Sequence, residues 1–140
     1  MPVRNRTIII GCGRLGSNVA NQASLAGESV IVIDLREISF ERLDDNFGGF
    51  TIVGDATDRR VLTDELLKSC KTLIITTGID NINLFIATLA AKKFDIPRVY
   101  VRFTDPDLST LVSGLNVQAI YPAELSLQKL QSIMQEDVDR

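Results

Sequence analysis

The sequence predicts an α/β domain built on a doubly wound, Rossmann-like parallel sheet of six strands in the order 3-2-1-4-5-6. Three observations lead there. Six short runs rich in Ile and Val recur at residues 7–10, 29–33, 50–53, 72–76, 99–103 and 117–120. They are apolar at successive positions, as strands covered on both faces are. Stretches of helical period separate them, so the chain reads as successive βαβ units with right-handed crossovers.

The elements follow in order. The first run leads into Gly11-Cys12-Gly13-Arg14-Leu15-Gly16, and residues 14–26 read as a helix stopped by Gly27 at its C′ position. The second run ends at Asp34, followed by Leu35 and Arg36. Residues 43–49 are polar, close on Phe47-Gly48-Gly49, and read as one short helix or a loop. Gly54-Asp55-Ala56-Thr57 follows the third run. Residues 59–69 form a helical stretch carrying Val61, Leu62, Leu66 and Leu67.

The fourth run ends at Thr76, ahead of Thr77 and Gly78. Residues 81–94 place Leu84, Ala87, Ala90 and Ala91 on one face, with Asp80 and Asn81 positioned to cap that helix. Arg102 lies in the fifth run. Asp105 as N-cap and Pro106 at the first position open a further helix, closed by Gly114. After the sixth run, Ala123, Leu127, Leu130 and Met134 share one helical face, with Ile133 beside it. That helix packs either on its own sheet or on a second subunit.

The loop Gly11, Gly13, Gly16 has G-x-G-x-x-G spacing. It follows a predicted strand, opens a predicted helix, and is answered by Asp34 at the end of the next strand, as in dinucleotide sites. Gly11 permits the tight turn, Gly13 lets backbone approach a pyrophosphate, and Gly16 lets helix and strand pack closely. The helix N-terminus offers unpaired N–H groups to phosphate. Asp34 suits an adenosine ribose and disfavours a 2′-phosphate, which Arg36 could offset. Arg14 can bring a planar guanidinium over a phosphate chain.

Composition removes other classes. A net charge of −3 and the lack of a basic cluster argue against nucleic acid as a partner. No apolar run approaches the ~20 residues of a membrane span, and the apolar start is too short for a signal peptide, so a cytoplasmic protein is expected. Cys12 and Cys70 are far apart and give no metal spacing; Cys12 reads most simply as a small space-filling side chain. The chain has no histidine, no Gly-Lys-Ser/Thr, and no Tyr-x-x-x-Lys pair, since Thr104 and Leu125 follow Tyr100 and Tyr121 at that spacing. Binding without turnover is therefore the simpler expectation. The alternative is a minimal NAD-dependent oxidoreductase working at a dimer interface.

With "GCGRLG", "VIVID", "GDAT", "TTGIDNINL", "VYVRF" and "AIYPAEL", the chain resembles the TrkA-N domain, also called the RCK N-terminal or KTN domain. The resemblance runs from Thr7 to about Met134, and one such domain fills 1–140. It implies a regulatory subunit of a potassium uptake system or channel, which binds NAD(H) or ATP, ADP or AMP. It also implies a homo-oligomer, a dimer or a ring of dimers, that lends its site to a separate membrane partner. By the same resemblance, Gly54, Asp55, Ala56 and Thr57 border the adenine, and Thr76, Thr77 and Gly78 lie below the phosphates. Arg102 supports the site or the dimer. Glu124 matches an acid that takes part in cation binding in some relatives, although Ala123 stands between it and Pro122.

Overall fold

The computed structural model describes residues 3–140. Strands β1 (Arg6–Ile10), β2 (Ser29–Asp34), β3 (Phe50–Val53), β4 (Cys70–Ile75), β5 (Arg98–Arg102) and β6 (Gln118–Ile120) form one parallel sheet. Their order, β3-β2-β1-β4-β5-β6, is the one expected. Ile10 pairs with Ile33 on one side and Ile75 on the other, so the three central strands finish level. The ladder runs on past them: Gly11 N–H donates to the Ile33 carbonyl and Thr76 N–H to that of Ile10, both at 2.8 Å.

Side chains alternate across this sheet with period two. Ile8, Ile10, Ile31, Ile33, Leu73, Ile75, Val99 and Val101 face the larger core, which α2 (Asp64–Ser69) and α3 (Asp80–Lys92) cover. Ile9, Val30 and Val32 face a smaller one, closed by Ala20 and Ala23 of α1 (Arg14–Leu25). Covering on both faces thus holds for β1 and β2. It fails for β5 and β6, where Tyr100 and Ile120 remain 37% and 39% exposed on the α1 side.

Four expected elements differ. The stretch 59–69 is helical only from Asp64. Before it, the Asp58 carboxylate accepts from the Arg60 N–H (2.9 Å), a local turn that competes with helix, and Thr63 then caps α2 through the Leu66 N–H. Val61 and Leu62 still join the core. Between β2 and β3 the helical turn falls earlier, as a 3-10 helix over Glu37–Arg42, and residues 43–49 are turns. Those turns are held by Asn21 and Ser24 of α1, which accept from the Asp44 and Gly48 N–H groups.

Asp105 caps as expected, accepting from the Asp107 N–H, but the helix it opens, Pro106–Val112, is also 3-10. Finally, α3 buries Asn83, Ile86, Ala87 and Ala90, a face rotated from the expected one. Asp80 does not cap α3. Its carboxylate accepts from the Thr104 and Asp105 N–H groups beyond β5 instead, at 2.8 and 2.9 Å.

Helix α4 (Pro122–Val138) does not pack on its own sheet: none of its residues is buried. Among the described residues, no helix is long and apolar enough to cross a membrane. At the opposite end of the sheet, the Arg4 guanidinium donates to the carbonyls of Leu67, Cys70 and Phe94, satisfying the C-terminal turns of α2 and α3 together.

The tightest contact joins α1 to the sheet. A Cβ on Gly16 would lie 1.9 Å from the Gly11 carbonyl oxygen and 2.8 Å from Thr76 Oγ1. The backbone atom cannot swing aside as a side chain would. Gly16→Ala is therefore expected to cost about 2–4 kcal/mol, with Tm falling by roughly 10 °C, as thermal denaturation followed by circular dichroism will show.

Candidate functional site

A cleft of about 470 Å³ opens where the strand order reverses, at the carboxyl ends of β1, β2 and β4. The glycine loop forms its floor. Gly11 has φ +97°, a left-handed turn that glycine adopts without strain. It carries the chain from β1 to Gly13, the N-cap of α1. No acidic side chain stands in the first turn of α1, so its positive end is uncompensated from within the helix.

Gly13 differs from Gly16 in kind. Its φ of −81° and ψ of −159° suit any residue, and a Cβ there would meet nothing within 4 Å. The protein itself does not require glycine at 13. Gly13 is also one of the residues that line the cleft.

Asp34 closes one wall. Its Oδ2 accepts from the Cys12 N–H at 2.7 Å and its Oδ1 from the Arg36 N–H at 2.9 Å, so one carboxylate ties the glycine loop to the chain leaving β2. Beside it, Asp55 Oδ1 accepts from both the N–H and the hydroxyl of Thr57. These bonds hold the Asp55 carboxyl below its usual pKa and keep it ionised. The opposite wall is a polar network. Thr76 Oγ1 donates to the Ile10 and Gly11 carbonyls, and Arg102 Nη2 donates to the carbonyls of Thr76 (2.7 Å) and Thr77 (3.2 Å). The buried Asn83 amide donates to the Thr77 and Arg102 carbonyls, both at 2.9 Å.

Of the expected residues, the cleft gathers Gly11, Gly13, Asp34, Leu35, Arg36, Gly54, Asp55, Ala56, Thr76, Thr77, Gly78 and Arg102. Cys12 and Gly16 lie buried beneath the loop and outside the lining. Arg14 is exposed at the start of α1 and is not part of the lining either, while Leu15 turns to an apolar groove on the far side of the loop. Thr57 acts on Asp55 from outside. Glu124 stands exposed in the first turn of α4, and no cluster of three metal-ligating side chains exists among the described residues.

The sequence reading missed the strand ends Ile10 and Ile33 together with Ser39, Arg42, Ile79 and Ile82 in the lining, and Asn83 behind it. Asn83 was findable, as an amide on the apolar stripe of α3. Ser39 and Arg42 follow Arg36 at three-residue spacing, a signal that means something only on a 3-10 helix. Both cysteines are buried thiols. Burial, with Asp34 second, raises the Cys12 pKa against an opposing pull from Arg42, and burial pushes the Cys70 thiol to about 12.

Comparison with known proteins matches residues 7–122 to the TrkA-N domain. The Trk system potassium uptake protein TrkA of Streptomyces coelicolor is 30% identical over 113 residues, 81% of this chain and 51% of that one. The chain thus spans about half the length of that curated relative. Among solved structures, the TrkA-N domain of an inner membrane protein from Escherichia coli superposes with a TM-score of 0.80 at 18% identity, covering 95% of this chain and 98% of that one. The Kef CTD of Shewanella denitrificans, solved in AMP-bound form, superposes at 0.68 with 20% identity over 92% and 82%. At such identities the two structures establish the shared fold.

The contrast between the two glycines yields a test. Gly13→Ala is expected to leave Tm within about 3 °C of wild type, the cost being at most that of a weaker N-cap. Isothermal titration with AMP, ATP and NADH is expected to show affinity reduced more than tenfold if the Gly13 backbone approaches the phosphates, because a methyl there would hold them off. Undiminished affinity would remove the loop from the binding surface.

Proposed function

The chain belongs to the TrkA-N domain family, and on that premise we propose that it senses an adenine nucleotide, NAD(H) or one of ATP, ADP and AMP. It passes that state to a membrane potassium transporter or channel from the cytoplasmic side. The observation that carries this reading is Gly13: a glycine the fold does not need, at a helix N-terminus and in the lining of the main cleft. The Asp34 oxygens, each engaged by one amide, keep lone pairs for ribose hydroxyls. Asp55 faces the same end. Arg102, fixed through Nη2, takes the phosphate-reading part that the sequence suggested for Arg14.

The lining favours binding over chemistry. Its ionisable groups are three arginines and two aspartates, and both carboxylates already accept backbone N–H bonds. The far end, at Thr77, Gly78, Ile79 and Ile82, offers no acid or base to a hydride transfer.

Signal output needs a second surface coupled to the first. Thr76 and Arg102 line both the cleft and a neighbouring apolar groove of about 300 Å³, whose other walls include Leu15, Val19, Ile74, Tyr100 and Ile120. On α4, Leu127, Leu130, Ile133 and Met134 are all at least 42% exposed. In this reading two copies pair through these unpartnered surfaces, and a ligand that shifts Arg102 changes how they fit.

Multi-angle light scattering at micromolar concentration is expected to give a dimer or larger ring for the wild type. The double variant Leu130→Asp, Met134→Asp is expected to be monomeric with a wild-type circular dichroism spectrum, because α4 contributes nothing buried to its own fold, and to melt at a lower, concentration-independent Tm because the stabilisation from association is lost. Nucleotide should alter the wild-type assembly and leave the variant's mass unchanged. A strict wild-type monomer with and without nucleotide would sink the coupling.

A further inference from the structure

Asn83 is the one polar side chain that α3 buries, and it lies behind the cleft and outside its lining. A buried amide is costly unless its hydrogen-bonding groups are met, and here they are. Its Nδ2 donates to the Thr77 and Arg102 carbonyls, both at 2.9 Å, and its Oδ1 accepts from the Thr77 hydroxyl. The reversed amide would set Oδ1 against two carbonyl oxygens, so its orientation is fixed. Arg102 Nη2 donates to the same Thr77 carbonyl at 3.2 Å. Asn83 therefore holds Arg102 at both ends, through its backbone carbonyl and through a carbonyl that anchors its guanidinium. One turn earlier on α3, Asp80 accepts from the Thr104 and Asp105 N–H groups, which ties down the chain just beyond Arg102 as well. Among the described residues, the Arg102 Nε and Nη1 groups have no protein acceptor, and no acid lies within salt-bridge distance.

We infer that Asn83 is a positioning residue that sets how strongly the cleft favours phosphate: it fixes the Arg102 guanidinium through one nitrogen and leaves the other two for the phosphate chain of a bound nucleotide. The inference rests on the nucleotide-binding reading above and assigns that site a residue that touches no ligand. An arginine ordered before the ligand arrives loses little rotamer freedom on binding, so more of the charge-assisted contact appears as affinity. Freed from Asn83, the same arginine must be ordered by the ligand. The benefit of the clamp therefore falls on ligands with phosphate to offer, and adenosine gains nothing from it.

Titration calorimetry with adenosine, AMP and ATP on the wild type, Asn83→Ser, Arg102→Ala and the double variant tests this. Asn83→Ser leaves two carbonyls without their donor and is expected to melt below the wild type, so the titrations are run well below its Tm. Its ATP affinity is expected to fall about tenfold while that of adenosine stays within about twofold, with AMP between them. In the Arg102→Ala background the same substitution is expected to change ATP affinity by less than about twofold, because its effect passes through that arginine. Equal fractional losses for adenosine and ATP would overturn the inference by assigning Asn83 to the fold alone. Losses that multiply in the double variant would overturn it as well. Should Asn83→Ser fail to fold, the cycle is run with Thr77→Val, which removes the hydroxyl that orients the amide and keeps the carbonyl. A smaller ATP-selective loss that vanishes in the Arg102→Ala background is then expected, and a loss independent of Arg102 would overturn the inference. Each of these negative results leaves the nucleotide reading intact, since the wild type still binds. A wild type that binds none of the three ligands would overturn both.

Discussion

Everything at the carboxyl end of this sheet depends on how closely α1 approaches β1 and β4. Only a hydrogen at position 16 allows the helix to sit against the Gly11 carbonyl and the Thr76 hydroxyl. That contact fixes where the N-terminus of α1 points, and hence where the floor of the cleft lies. The same Thr76 hydroxyl donates to the Ile10 and Gly11 carbonyls, and the Thr76 carbonyl accepts from Arg102. A packing requirement is thereby continuous with the polar network of the opposite wall. Loosening it would displace the loop, Arg102 and the end of β4 together.

Charge within the cleft is organised along its length. Acids cluster at the β2 and β3 termini, where Asp34 and Asp55 already accept backbone N–H bonds. Cations lie at both ends, Arg102 on the β4–β5 side and Arg36 with Arg42 on the 3-10 helix. Asp34 works twice: it is a candidate ribose ligand and the clasp that holds Cys12 to Arg36. For that reason its removal would perturb the loop as well as the ligand, whereas Gly13 separates binding from folding.

The sheet order, the strands and the glycine loop were legible because each rests on a local periodicity or on a spacing that one βα turn imposes. The glycine pattern, Asp34, the Gly54–Thr57 stretch and the Thr76–Gly78 loop converge through topology alone. What could not be read was the direction of individual side chains. Arg14 belongs to the motif by sequence and not to the cleft by geometry, since the first turn of α1 carries it outward. Asp80 stands where a cap is expected, yet two N–H groups beyond β5 take its carboxylate. The Ser39 and Arg42 contribution was invisible because period-three spacing looks like noise until the segment is known to be a 3-10 helix.

The uncovered half of the sheet follows from the same winding that builds the cleft. Right-handed crossovers send α1 to one face and α2 and α3 to the other, so nothing local covers the α1 side of β5 and β6. Tyr100 and Ile120 are left exposed there, one wall away from the ligand space. Arg102 sits in that wall: its backbone belongs to β5, its guanidinium holds the β4 loop, and its side chain borders both cavities. A ligand phosphate and an apolar helix packed in the groove would therefore compete for the position of one side chain. Differential binding to two positions of that arginine is sufficient, in energetic terms, to link occupancy of the cleft to packing in the groove.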